Sequence, residues 1–291
     1  MAVSAAHKWG QIIGDLLQHS LREELQKVAD RHQLYLDYQR DRPARKGSRV
    51  SWQDRYGNSH DLDYVFERGG TDTAVGEPAA FIEAAWRRYT KHSKNKAQEI
   101  QGAVLALAET YHHFHPFLGI VLAGEFTRNA VTQLRSHAFS VFHISYADIM
   151  RAFTSVSIDA HFDERTPERR FREKIKQYQA LTPPELTKLK EALLASPQPG
   201  SAPLKEFLAT LEVSLSRRIV GITVLVLHAQ PQQMSSAAEA IQYLESYQES
   251  RPCSATAIKY EIDVRYSNGD VIHGIFQTKE AAIRFLHRPT A

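Results

Sequence analysis

Seven consecutive residues without a polar side chain, FLGIVLA at positions 117–123, lie between two stretches of helical periodicity. A run of this length so flanked is the signature of a strand buried on both faces, which requires helices to cover a sheet. Upstream, Ile100, Val104, Leu107 and Tyr111 recur along one side of a helix for which Ser93 is a suitable N-cap. Downstream, Val131 and Leu134 mark a short helix before a second strand, FSVFHIS at 139–145. Strands separated by helices imply crossover connections and a partly parallel sheet.

The preceding residues add antiparallel pairing. Residues 5–31 place Ile13, Leu17, Leu21, Leu25 and Val28 at three- and four-residue intervals, the period of an amphipathic helix. Residues 34–38 read as a short strand, followed by a basic Pro/Gly-containing loop to 49. In RVSWQDRYGNSHDLDYVFER two extended runs flank Tyr56-Gly57-Asn58-Ser59, which predicts a β-hairpin. A loop at 69–78 leads to a buried strand at 79–86. Beyond 153, residues 165–195 read as helical and polar, interrupted by Thr182-Pro183-Pro184, and SPQPGSAP at 196–203 reads as a linker. A helix (204–215), strand (218–228), helix (235–247), hairpin around Ser267-Asn268-Gly269-Asp270 and closing helix (279–287) complete the chain. The expected fold is therefore α/β, with an α+β-type mixed sheet and helices on both faces. Residues 1–157 form the core, 158–200 a helical connector, and 201–291 a small β-α-β-β-α domain for recognition or dimerisation.

Composition excludes several classes. With 43% hydrophobic and 24% charged residues over 291 positions, wholesale disorder, collagen and coiled coil do not fit. The longest near-continuous apolar run, 219–227, falls short of the roughly 18 residues of a membrane span, and MAVSAAHKWGQ lacks a signal-peptide layout. Cys253 is the single cysteine, so there is neither an intrachain disulfide nor a thiolate cluster, and the chain reads as cytoplasmic. His112, His113 and His115 crowd before Pro116 without a spaced Cys or carboxylate and read as polar loop residues. No Walker motif or dinucleotide fingerprint occurs.

A net charge of +3 conceals blocks of opposite sign. Arg40, Arg42, Arg45, Lys46 and Arg49 form one basic stretch, and Arg87, Arg88, Lys91, Lys94 and Lys96 another. Between them lie Asp61, Asp63, Glu67, Asp72, Glu77 and Glu83. Carboxylates beside cations suit a divalent metal next to a polyanion. Asp61 and Asp63, two apart on one strand, are expected to share a face, and Glu83 sits within the apolar FIEAAW. Glu83 has two readings, a metal ligand or an ion pair with Arg87 or Arg88. Carboxylates from adjacent strands can hold Mg²⁺ through one or two bonds, leaving it free to take phosphate oxygens, an arrangement for hydrolysing phosphodiesters.

The order of elements and these residues together resemble the PD-(D/E)XK nuclease superfamily, the fold of many type II restriction endonucleases, over roughly residues 5–150. Asp63, in LDYVF, matches the family's Asp, and Glu83, in FIEAA, its second acidic residue. The motif's lysine is missing, since Ala85 stands two positions after Glu83. Some members place that cation on the following helix. Lys96 is the preferred substitute because it aligns with Ile100, with Lys94 second and Gln98 nearby; Glu23 or Glu24 of the first helix could complete the metal site. The resemblance implies a sequence-specific DNA endonuclease of restriction type with catalytic Asp63, Glu83 and Lys96 or Lys94, and Mg²⁺ (with Mn²⁺ able to substitute) on Asp63, Glu83 and Asp61. DNA contacts would come from Arg87, Arg88, Lys91, Arg45 and Lys46, and a homodimer would cut both strands. The alternative is a nucleic-acid-binding module that keeps the fold without the chemistry.

Overall fold

The computed structural model describes residues 4–90, 93–195, 204–226, 230–248 and 259–287. Two compact units result, Met1–Thr110 with Pro116–Leu211, and Tyr111–His115 with Glu212–Ala291. The expected linker at 196–203, the end of the strand at 227–228, Cys253 and Lys91 lie outside the described residues.

The first unit opens with α1 (Ala5–Arg31), whose Ser4 hydroxyl accepts the backbone N–H of His7 at 3.2 Å. Its stripe of Ile13, Leu17, Leu21, Leu25 and Val28 is buried. Each such side chain contributes about 1.5–3 kcal/mol on leaving water. β1 (Tyr35–Tyr38) follows, then a hairpin of β2 (Val50–Gln53) and β3 (Ser59–Leu62) paired from Val50↔Leu62 to Gln53↔Ser59. Gly57 turns it at φ +84°, and the Asp54 carboxylate accepts the N–H groups of Tyr56 and Asn58, both at 2.9 Å. β4 (Tyr64–Arg68) and β5 (Glu77–Arg87) are antiparallel, and β6 (Phe117–Gly124) and β7 (Ser140–Ser145) continue in parallel. The resulting order is β1-β4-β5-β6-β7, a mixed sheet with the hairpin as a separate two-stranded sheet.

Helices cover both faces of that sheet. α2 (Ser93–Thr110) packs on β5 and on α3 (Arg128–Ser136), while α1 packs on β5 and α4 (Tyr146–Thr154) on β6 and β7. The helix α4, absent from the sequence expectation, starts with a Ser145/Asp148 capping box. The polar stretch beyond it forms α5 (Glu168–Gln179) and α6 (Pro183–Leu194), which pack on α1 and α4 through Phe171, Ile175, Leu189 and Leu193. They therefore belong to the first unit rather than to a connector. The division between units falls inside α7 (Leu204–Leu215).

The second unit is an antiparallel sheet of order β11-β10-β8-β9. It comprises β8 (Ile219–Val226), β9 (Gln232–Met234), α8 (Ala237–Ser246), β10 (Tyr260–Tyr266), β11 (Val271–Phe276) and α9 (Lys279–His287). Ile222, Val224, Ile262 and Val264 meet Leu244 of α8 and Phe285 of α9 in its core. The short polar β9 is an addition to the expected β-α-β-β-α order. His115, at φ 43°, is held here by Asp270 at 3.0 Å and by Arg217.

Candidate active site

The extended run 59–68 does not stay in one sheet. β3 ends at Leu62, Asp63 is a bend, and β4 begins at Tyr64 paired with Ile82 of β5. One step further along that antiparallel register, Asp63 faces Glu83. There the pairing stops, because the chain has left for the hairpin while β5 runs on along β6 to Arg87. The sheet loses a strand at this point, beside two carboxyl groups, and this break is termed the notch.

Each Asp63 oxygen is placed by the protein. Oδ2 accepts the backbone N–H of Ala84 at 2.7 Å, and Oδ1 accepts the side-chain amide of Gln18 from α1 at 2.8 Å. Glu83 is 8% exposed, and its carboxyl is hydrogen-bonded to that of Asp63. Burial first, and then the Asp63 charge, push the Glu83 carboxyl up to about 9. Burial also raises Asp63. Of the two, Glu83 is raised the more clearly, since burial and the neighbouring Asp63 charge both favour its protonated form. The nearest compensating charge is Lys96 in the first turn of α2, which lowers both carboxyls and whose Nζ lies 2.7 Å from Glu99. Among the described residues neither Arg87 nor Arg88 pairs with Glu83. Arg87 donates to the Trp86 carbonyl at 2.8 Å, and Arg88 donates to the Phe162 carbonyl with its guanidinium 3.8 Å from the Tyr146 ring centre. The ion-pair reading of Glu83 is thereby removed.

Several expected site residues stand elsewhere. Asp61 does not join Asp63: the bend between them turns the chain, and the Asp61 carboxylate takes the Ser51 hydroxyl and Arg49, at 2.9 Å, inside the hairpin. Arg45 is engaged within the protein, its guanidinium on Asp37 at 3.0 Å and on the Tyr38 carbonyl at 2.9 Å. Arg88 is likewise tied down by Phe162 and Tyr146, so neither arginine presents a free phosphate-binding edge. Lys46 and Lys94 are exposed. Glu23 pairs with Lys190 at 2.5 Å and Glu24 with Lys27 at 2.6 Å, away from the notch. What sequence reasoning missed is Gln18, on the polar side of α1 beside the buried Leu17 and Leu21. Its only signal was its place on an amphipathic helix adjoining the strand.

Two adjacent carboxylates match the donor count with which Mg²⁺ is held. Among the described residues no three His, Cys, Asp or Glu side chains cluster, so the donor set differs from a four-ligand zinc site.

No family model matches the sequence, and no curated protein does. A crystal structure of a protein of unknown function, AF1548, aligns at 13% identity over 62% of this chain and 100% of its own, with a TM-score of 0.30. A likeness at that level carries no argument. The chain is a mixed α/β protein in which no described helix is long and apolar enough to cross a membrane.

Proposed function

We propose that this protein is a Mg²⁺-dependent endonuclease that hydrolyses phosphodiester bonds of double-stranded DNA, of restriction type and acting as a homodimer. The observation that carries this reading is the Asp63–Glu83 pair, two buried carboxyls brought together at a break in the sheet and left without an arginine. Repulsion and desolvation make such a pair unfavourable unless a cation or a proton intervenes. Asp63 and Glu83 would hold the metal, Asp63 oriented by Gln18 and Ala84. When bound, the metal would stabilise charge developing on the phosphate oxygens and make water a better nucleophile. Lys96, two residues into α2 from Lys94, would release Glu99 and orient the attacking water or neutralise the phosphate. Exposed Lys46 and Lys94 remain available to DNA phosphates, as does Arg87.

Plasmid incubated with the purified protein and Mg²⁺ is expected to be cut. Asp63→Ala and Glu83→Ala should abolish cutting and spare binding, whereas cutting that survives both would remove the site. One observation favours a second reading, a DNA-binding module without chemistry. Ala85, at the position of the family's lysine, is 2% exposed and packed into the core. Salt-sensitive DNA binding with no cutting in Mg²⁺ or Mn²⁺ would establish that reading.

A further inference from the structure

Asp63 forms the shared wall between the notch and a cleft of about 240 Å³ on the α1 side, which Tyr64, Tyr38, His19, Arg22 and Gln39 also line. This volume is below the roughly 300–1,000 Å³ of clefts that enclose drug-sized ligands, so it suits one phosphate or sugar-phosphate unit rather than a nucleotide cofactor. Its chemistry is uneven. Tyr64 is already used, its hydroxyl donating to the Gln18 carbonyl at 2.6 Å. Arg22 is not: its guanidinium lies 4.9 Å from the Tyr38 ring centre, and among the described residues no carboxylate pairs with it. An arginine stacked on an aromatic face is held in place while its N–H edge stays open, and its charge is permanent. His19 donates its Nδ1–H to the Asp15 carbonyl at 2.6 Å, so in the neutral ring its Nε2 is an acceptor and adds no donor for a phosphate. Gln39 adds an exposed amide at the rim. Opposing these are two carboxylates that line the cleft, the exposed Asp15 and Asp63, the latter also the proposed metal ligand.

The fate of the other arginines sharpens the contrast. Arg42 and Arg45 meet carboxylates and Arg88 meets a carbonyl and a ring, so each is satisfied inside the protein. Arg22 has the ring and lacks the anion.

We propose that this cleft is a subsite for a backbone phosphate of the DNA strand, adjacent to the one at Asp63 and Glu83, with Arg22 as its binding cation. The proposal rests on the nuclease reading and adds to it the path of the strand, from Lys96 on one side of Asp63 to Arg22 on the other.

The test is fluorescence anisotropy of a labelled DNA duplex with the full chain in Ca²⁺, over about 50 to about 200 mM salt. Arg22→Gln is expected to bind about tenfold more weakly. Its plot of log affinity against log salt should be shallower by about one unit. Arg22→Lys keeps the charge and should keep the slope. Where Arg22→Gln lowers the melting temperature, Gln39→Glu supplies the same readout, because it adds a negative charge at the exposed rim; it too should weaken binding. Wild-type affinity and slope in Arg22→Gln, or in Gln39→Glu where that variant is used, would overturn the subsite while leaving Mg²⁺-dependent cutting as the reading of the notch. A wild-type protein that neither binds nor cuts any duplex would overturn both.

Discussion

Two groups of buried acids occupy the same sheet and are treated oppositely. At one end, Asp37 of β1 and Glu67 of β4 enclose Arg42, whose Nη1 is 2.8 Å from Asp37 and 2.7 Å from Glu67; Arg45 closes on Asp37 from outside. Burial alone would lower Arg42, but Glu67 and Asp37 hold its guanidinium firmly protonated. The Gly76 N–H completes Glu67 at 2.7 Å, at a position where a Cβ would lie 2.4 Å from the Arg68 carbonyl. At the other end of β4, Asp63 and Glu83 receive an amide, a backbone N–H and a lysine that also pairs with Glu99. The first group is a closed ionic network. The second is an electrostatic deficit, and the difference separates acids whose charge is matched inside the fold from acids whose charge is not.

Breaking the closed network should have the largest effect. Arg42→Met strands two buried carboxylates and is expected to destabilise by about 3–5 kcal/mol, read from urea denaturation. The open pair should respond in the opposite sense. Glu83 binds its proton more tightly folded than unfolded, so the stability it supports is fully present below the usual carboxylate range and is lost as pH rises through about 9. Metal-free protein should therefore lose a few kcal/mol across that window, on the order of 1.4 kcal/mol for each tenfold difference in proton affinity, and Glu83→Gln should flatten the decline. A pH profile identical in the two proteins would contradict a raised Glu83 carboxyl. Saturating Mg²⁺ should raise stability by about 2.7 kcal/mol at a hundredfold excess over Kd, more at pH 8 than at pH 5, and have no such effect on Asp63→Asn. Lys96→Ala is expected to slow plasmid cutting about a hundredfold with binding retained. Lys94→Ala, at an exposed position, should change the rate less than about threefold; the reverse ranking would exchange their roles.

The contrast also explains what could be read from the residues in order. Glu83 stood out because a lone acid in FIEAAW has no reason to be buried, and β5 does bury it. Asp63 was visible from the apolar half-strand after it. Asp61 was misplaced because alternation presumes one continuous strand, and no residue in SHDLDYVF signals that the chain changes sheets at position 63. Arg42 and Arg45, in a Pro/Gly-containing basic run, look like an exposed loop; only the return of β4 with Glu67 beside β1 with Asp37 encloses them. Gln18 and Arg22 share a helix face that a hydrophobic pattern assigns to solvent. Their partners are more than ten residues away, and a local period carries no such information. The strands and long helices were legible because their burial pattern is local; β9 was missed because three residues, QQM, hold no period.

The bend at Asp63 bears on which changes of length the chain could absorb. The hairpin tip at Tyr56 is 74% exposed, while Trp52, paired with His60 on the way to that tip, meets Phe81 of the main sheet edge-on at 5.7 Å. Residues added at Tyr56–Gly57 would extend an arm into solvent and leave that anchor, and so Asp63, where it is. One residue added between Leu62 and Tyr64 would either displace the carboxylate from Glu83 or slip β4 by one and invert its faces. New surface for a partner can therefore be grown at the tip, six residues from the acid, with the Asp63–Glu83 pair left in place, whereas the base tolerates no change in count.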